Sequence, residues 1–401
     1  MLWLIALACS GDPTPAPPIP EPAPEPSLSI PLPSDTSSPH QFAPALSISE
    51  PAAAAQQTLT ELLKTHALKP NLPWAIGHAL IALGPSLQLT NGDDAVAWLF
   101  SEYATRVTFG ERTGVVFPER KQSTVVQPHP SLFLKAFADS GVNPSTSVTV
   151  EGQPHTVADL YTGTLASTWF DPATRQSSMG NVNEMAWALF GLSSWSTPET
   201  EWTDARGRTT ALSTMAHYAA QALATDTLFI EHARAEGKAF RKRGQGIFQY
   251  TCGGAHLIQG VIHAQMNGIV PSTPEDPFSE QLKRLMYRFP IELAQIDQAI
   301  KTSPSHAIPL AVQRLKLTGH TLETLGRMGT YPHPESPGKE QVDPIVNEVV
   351  RSVEMLEQLQ VFENLAIART ENHQMFLDVV GDSAHALRGL AIVHGQQSVR
   401  Y

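Results

Sequence analysis

The stretch Tyr250-Thr-Cys-Gly-Gly-Ala-His-Leu-Ile-Gln-Gly-Val261 carries at its centre a unit that the chain repeats. The unit is a small residue, a His, any residue, an apolar residue, two free positions and a second apolar residue. Here it reads Ala255-His256-Leu257-Ile258 with Val261, and it returns as Gly77-His78-Ala79-Leu80 with Leu83 and as Ala216-His217-Tyr218-Ala219 with Ala222. Gly319-His320-Thr321-Leu322 with Leu325 and Ala384-His385-Ala386-Leu387 with Leu390 complete the set. The apolar spacing is that of a helix, so five imidazoles take equivalent places on five helices. Glu184-Met185-Ala186 with Leu189 reads as a degenerate sixth copy with Glu in the His place. The copies are unevenly spaced, which excludes a short solenoid.

Outward from this stretch, helical periodicity dominates from about Ala52. About twelve helices pair into about six hairpins, among them Pro73 up to Gly84, Thr227 to Arg243 and Val342 to Arg369. In the clearest pairs the His falls in the second helix. These second helices are rich in Gly, Ala and apolar residues, whereas their predecessors carry the Glu, Lys, Arg and Gln. The asymmetry suits buried inner helices within an outer set that meets water. Between about 105 and 180 short strands interrupt the rhythm, including a hairpin around Glu151-Gly152. The expected class is therefore all-α with a small β-containing insertion at about 105–180.

Ahead of the helices lie two other segments. Leu2 to Ala8 is an apolar run too short to span a bilayer as a helix, and it stops at Cys9. From Pro13 to about Pro51 prolines alternate with Ala, Glu and Thr, a composition that cannot bury a core and extends as a solvated spacer. The domain plan is residues 1–9, a tether over 10–51, and a helical domain over 52–401. A formal charge of -11 argues against a nucleic-acid partner, because phosphate neutralisation needs a concentrated basic surface. The one basic cluster, Lys238 to Arg243, reads as a solvated helical face.

Ala6-Leu7-Ala8-Cys9 resembles the lipobox of bacterial lipoproteins, in which the Cys becomes the lipid-modified first residue. That resemblance implies export, a lipid anchor at Cys9 and a place in the cell envelope. Ser10 in the next position points to the outer membrane. No Lys or Arg precedes the apolar run, a departure from the family pattern. If Cys9 carries lipid, Cys252 has no disulfide partner and is buried, metal-bound or reactive.

The helical domain resembles in general plan the α/α-toroid proteins: terpenoid cyclases, prenyltransferase β-subunits, lanthionine cyclases, and six-hairpin glycosidases and polysaccharide lyases. Their active sites lie in a central cavity, which here would be lined by His. The resemblance spans most of the helical part but rests on helix pairing rather than on a signature.

Three chemistries follow. Asn183, His217, Tyr250 and His256 are of the types that polysaccharide lyases use for proton abstraction, and imidazole titrates near neutrality. A glycosidase needs two carboxylates, with Glu184 and either Glu323 or Asp343 as members. Cys252 and His256, four apart on one helical face, could share a zinc ion with a third ligand from His217 or His320. His78, Asn183, His320 and His385 would then line the binding site for an envelope polysaccharide or small molecule. The contrasting reading is a structural or interaction lipoprotein in which each His packs and bonds a carbonyl or a neighbouring helix.

Overall fold

The computed structural model describes residues 39–400 except 110–111, 205, 251 and 271–275. The lipobox-like start, Cys9 and the Pro-rich segment up to residue 38 lie outside the described residues. The fold starts earlier than residue 52: Pro39–His40 pairs antiparallel with Val399–Arg400, and Phe42 and Leu46 are buried. A few apolar side chains suffice to hold this end of the Pro-rich stretch on the domain.

The described residues are mostly helical. In chain order the helices are α1 (Glu50–His66), α2 (Pro73–Leu83), α3 (Ala95–Tyr103), α4 (Leu132–Ser140), α5 (Ala158–Ser167), α6 (Met185–Trp195) and α7 (Leu212–Asp226). They continue as α8 (Leu228–Ala235), α9 (Ala255–Met266), α10 (Pro277–Thr302), α11 (Ala307–Met328), α12 (Lys339–Gln358), α13 (Leu365–Glu371) and α14 (His373–Val393). Two expected helices divide or shorten. Gly237 sits at φ 63, a left-handed stop that ends α8 and leaves Lys238 to Arg243 outside any helix. Gln360 at φ 56 separates α12 from α13 where one long helix was expected.

Burial divides the helices into two kinds. In α6 ten of eleven residues are buried, whereas α12 buries eight of twenty along one periodic face from Val342 to Leu356. A helix buried all round belongs among other helices, and a one-sided helix borders solvent. The contacts agree: α2 packs on α4, α4 on α6, α6 on α9, α9 on α11, α11 on α14, and α14 on α2. Around these, α1 lies on α14 and α12, α7 on α6 and α9, α10 on α11 and α9, and α12 on α11.

The β structure consists of two-stranded antiparallel pairs, including Thr105–Phe109 with Arg112–Val116 and Ser147–Val150 with Gln153–Thr156. The 105–180 stretch is not wholly an insertion, because it contains α4, which stands between α2 and α6 in the order above. Gly163 allows the first hairpin to lie directly on α5: a Cβ there would come 2.0 Å from the carbonyl oxygen of Val115. No helix of the described residues is long and apolar enough to cross a membrane.

Candidate metal centre

In two of the repeats the small residue is a glycine at a close approach of helices, and in four of the five the following His points where the helices meet. A Cβ on Gly319 of α11 would lie 3.0 to 3.1 Å from Ala386 of α14, and one on Gly77 would lie 3.1 Å from Leu132 and Phe133. His256 of α9, His320 of α11 and His385 of α14 converge, each offering a ring nitrogen within 4.8 Å of the others. Their ring centroids are 4.0 to 5.0 Å apart, and His78 of α2 stands 5.4 Å from His385. All four are 8% exposed or less. These rings fill the space between the helices, so a ligand among them has the size of an ion rather than of a polymer.

Hydrogen bonds set the ring nitrogens. His78 Nδ1 donates to the Trp74 carbonyl at 2.9 Å. His385 Nδ1 lies 2.7 Å from Glu323 Oε2. Burial alone would raise the Glu323 pKa, yet the Arg327 charge and the contact with His385 hold it well below the usual carboxylate range. An ionised Glu323 fixes the proton on His385 Nδ1 and leaves the Nε2 lone pair free. His320 Nε2 lies 3.5 Å from Asp382 Oδ1. The Nδ1 atoms of His256 and His320 are buried without any hydrogen-bond partner. Each such orphan costs about 1–3 kcal/mol if nothing meets it. Burial, then the neighbouring imidazoles, pushes His256 well below its ordinary value and His385 to about 4. These two rings are neutral at pH 7, the form that binds a metal.

Around the trio runs a charged shell. Gln259 Nε2 donates to Glu323 at 3.2 Å and to Thr324 Oγ1 at 3.1 Å. Arg327 Nη2 donates to Glu323 Oε1 at 2.7 Å and to Asp139 Oδ2 at 2.5 Å. Asp139 also accepts from Lys135 at 3.2 Å and from Arg388 at 3.3 Å. Burial would raise its pKa, but Arg327, Lys135 and Arg388 together hold it far below the ordinary range. Lys135, Arg327 and Arg388, all buried, thus face Asp139 and Glu323, while Asp382 is met by Lys316 at 3.8 Å and by His320.

The other expected site residues lie elsewhere. Cys252 does not share a helical face with His256, because Gly253 and Gly254 adopt φ 59 and 76 and α9 begins only at Ala255. Its sulfur is placed instead against the backbone N–H groups of Gly254, Ala255 and His256, and burial nonetheless raises its pKa. Beside it a cavity of about 10 Å³, bounded also by Arg288 and His320, has room for about one water. His217 is half-buried on α7 and bonds Gln221 at 2.9 Å. The Tyr250 hydroxyl donates to Asp226 at 3.3 Å, and burial followed by the Asp226 charge raises its pKa. Glu184 precedes α6 and meets His129 Nδ1 at 2.8 Å. Asn183 is buried with its Oδ1 unpartnered. Asp343 pairs with Lys339 near the start of α12, at 3.7 Å.

Two features escaped the sequence reading. The residue of α6 that meets the trio is Trp187, whose ring lies 4.1 Å from that of His256. The unit there is Ala186-Trp187-Ala188-Leu189, with Trp rather than Glu184 in the His place. Lys135 and Asp139 of α4 carry no His and gave no signal. Glu323 was named only as a candidate glycosidase carboxylate, and Arg327, Asp382 and Arg388 could have been found with it, since all four stand three or seven residues from His320 or His385 on the same helical stripes.

Comparison of the chain with protein-family models, with curated protein sequences and with solved structures gave no match.

Proposed function

We propose that the chain is a metal-binding protein of the cell envelope in which His256, His320 and His385 hold one transition-metal ion of the zinc class. The observation that carries this reading is the convergence of three buried imidazoles from three helices with two orphaned Nδ1 atoms among them. Imidazole suits zinc, copper, iron and nickel. Zinc bonds nitrogen at about 2.0–2.1 Å, so the rings would close by roughly an ångström around it. Glu323 would orient His385, as a carboxylate behind a ligating His does. Cys252 is not in this ligand set.

The cyclic order of helix contacts from α2 through α14 supports an α/α toroid of six hairpins. In that arrangement the ion braces α9, α11 and α14 at the axis, and metal binding becomes folding free energy. The lipobox-like Ala6-Leu7-Ala8-Cys9 supports a lipid anchor on the envelope, with the outer membrane as the address. A second reading, a reactive centre, is favoured by the open position that three protein ligands leave and by the water-sized cavity beside His320.

Elemental analysis of protein purified without chelator is expected to give about one metal ion per chain, falling below a tenth in His385→Ala. Stripping the ion should lower the melting temperature, with recovery when zinc is returned. Protein free of metal that melts at the same temperature with and without zinc would reject the brace. For the address, Cys9→Ala should abolish incorporation of labelled lipid and release the protein from membranes; unchanged membrane association rejects the anchor.

A further inference from the structure

Away from the centre, a cleft of about 310 Å³ opens beside α5, at the lower end of the size range of small-molecule sites. Five hydroxyl-bearing residues line it: Ser131, Thr164, Ser167, Thr168 and Ser178, contributed by three separate stretches of chain. Thr164 donates to the Leu160 carbonyl at 2.8 Å and Ser167 to that of Gly163 at 2.9 Å. Their protons are therefore committed, which leaves both hydroxyls as acceptors. Glu119 adds a carboxylate, and no Lys, Arg or His is among the lining residues. Phe117, Leu160 and Met179 supply apolar surface between the hydroxyls.

The rim is also built. Ser131 holds φ 64, a left-handed conformation unusual for a residue with a side chain. His129, between the lining residues Pro128 and Pro130, is fixed by Glu184 at 2.8 Å and stacks on Trp187 at 4.9 Å with its plane tilted by 14°. A strained backbone and a clamped imidazole keep the mouth in one shape.

We infer that this cleft binds a neutral carbohydrate, one or two sugar rings in size. Sugar hydroxyls donate to the hydroxyl and carboxylate acceptors, and the C–H faces of the ring lie on Phe117, Leu160 and Met179. An anionic ligand would meet Glu119 with no cation to balance it. The proposal is independent of the metal reading, since none of the three ligand His residues borders the cleft.

The test is calorimetry on the whole purified protein with maltotetraose and N-acetylglucosamine tetramer as neutral probes and a galacturonate tetramer as the anionic one. At least one neutral probe should bind with a Kd below 1 mM and bind at least 10-fold more weakly to Ser167→Phe. Ser167 is exposed near the end of α5, so the larger ring fills the cleft rather than the core. Thermal melting of the variant within 2 degrees of the parent confirms its fold, and Ser178→Ala serves as a second, smaller lesion. Absence of binding by both neutral probes, equal binding to Ser167→Phe, or preference for the galacturonate tetramer overturns the inference.

Discussion

Asp139 is the most consequential single residue for stability. It accepts from Lys135 on its own helix, from Arg327 on α11 and from Arg388 on α14. Asp139→Ala leaves three buried cations facing one another, and a cost of about 3–5 kcal/mol is expected by urea denaturation. Glu323→Gln has a more divided outcome. It keeps an acceptor for His385 Nδ1 but removes the charge that fixes the tautomer, so metal affinity should fall about 10–100-fold in competition with a chelator. An unchanged affinity would show that Glu323 does not orient the ligand. The His at the centre were legible because a helical repeat marks them, whereas Asp139 and Lys135 were not, because their helix lacks the repeated residue.

At the scale of elements, close backbone contact decides more than helix propensity does. Gly163→Ala would drive a methyl group into the Val115 carbonyl, 2.0 Å away, and part α5 from the hairpin it carries. Overpacking of this kind costs about 1–3 kcal/mol, and a lower melting temperature is expected. The same substitution should loosen the cleft beside α5. Helix boundaries with their own punctuation were readable: Pro73 opens α2 and Gly84, at φ 97, follows its end. The pairing of Cys252 with His256 was misread for the complementary reason, since two left-handed glycines sit where a continuous helix was assumed.

For the whole molecule the buried ionisable groups set the response to acid. Burial, followed by the Arg327 charge, pushes His263 down to about 3. Its folded value lies below the unfolded value of about 6.5, so the unfolded chain takes up the proton first. The stability it confers is complete above about pH 6.5 and is lost as the pH falls toward 3. Between pH 6.5 and 5 that amounts to about 2 kcal/mol from this residue. Asp139 and Glu323, also held low, add a further loss as the pH falls below the ordinary carboxylate range. The urea midpoint should therefore drop from pH 7 to pH 5; a midpoint that rises would contradict the buried neutral state of His263.

The sequence by itself determined the helical class, the division into inner and outer helices, and the repeated His, because hydrophobic period and turn residues act locally along the chain. It could not say which imidazoles meet. Four of the five His units converge and His217 stays on the outer helix α7. Tertiary structure decided that outcome, together with the bridge from residue 139 to residues 327 and 388 and the place of Trp187. The reason is geometric: a local pattern fixes the buried face of each helix, but contact between side chains depends on the rotation and order of helices far apart in sequence.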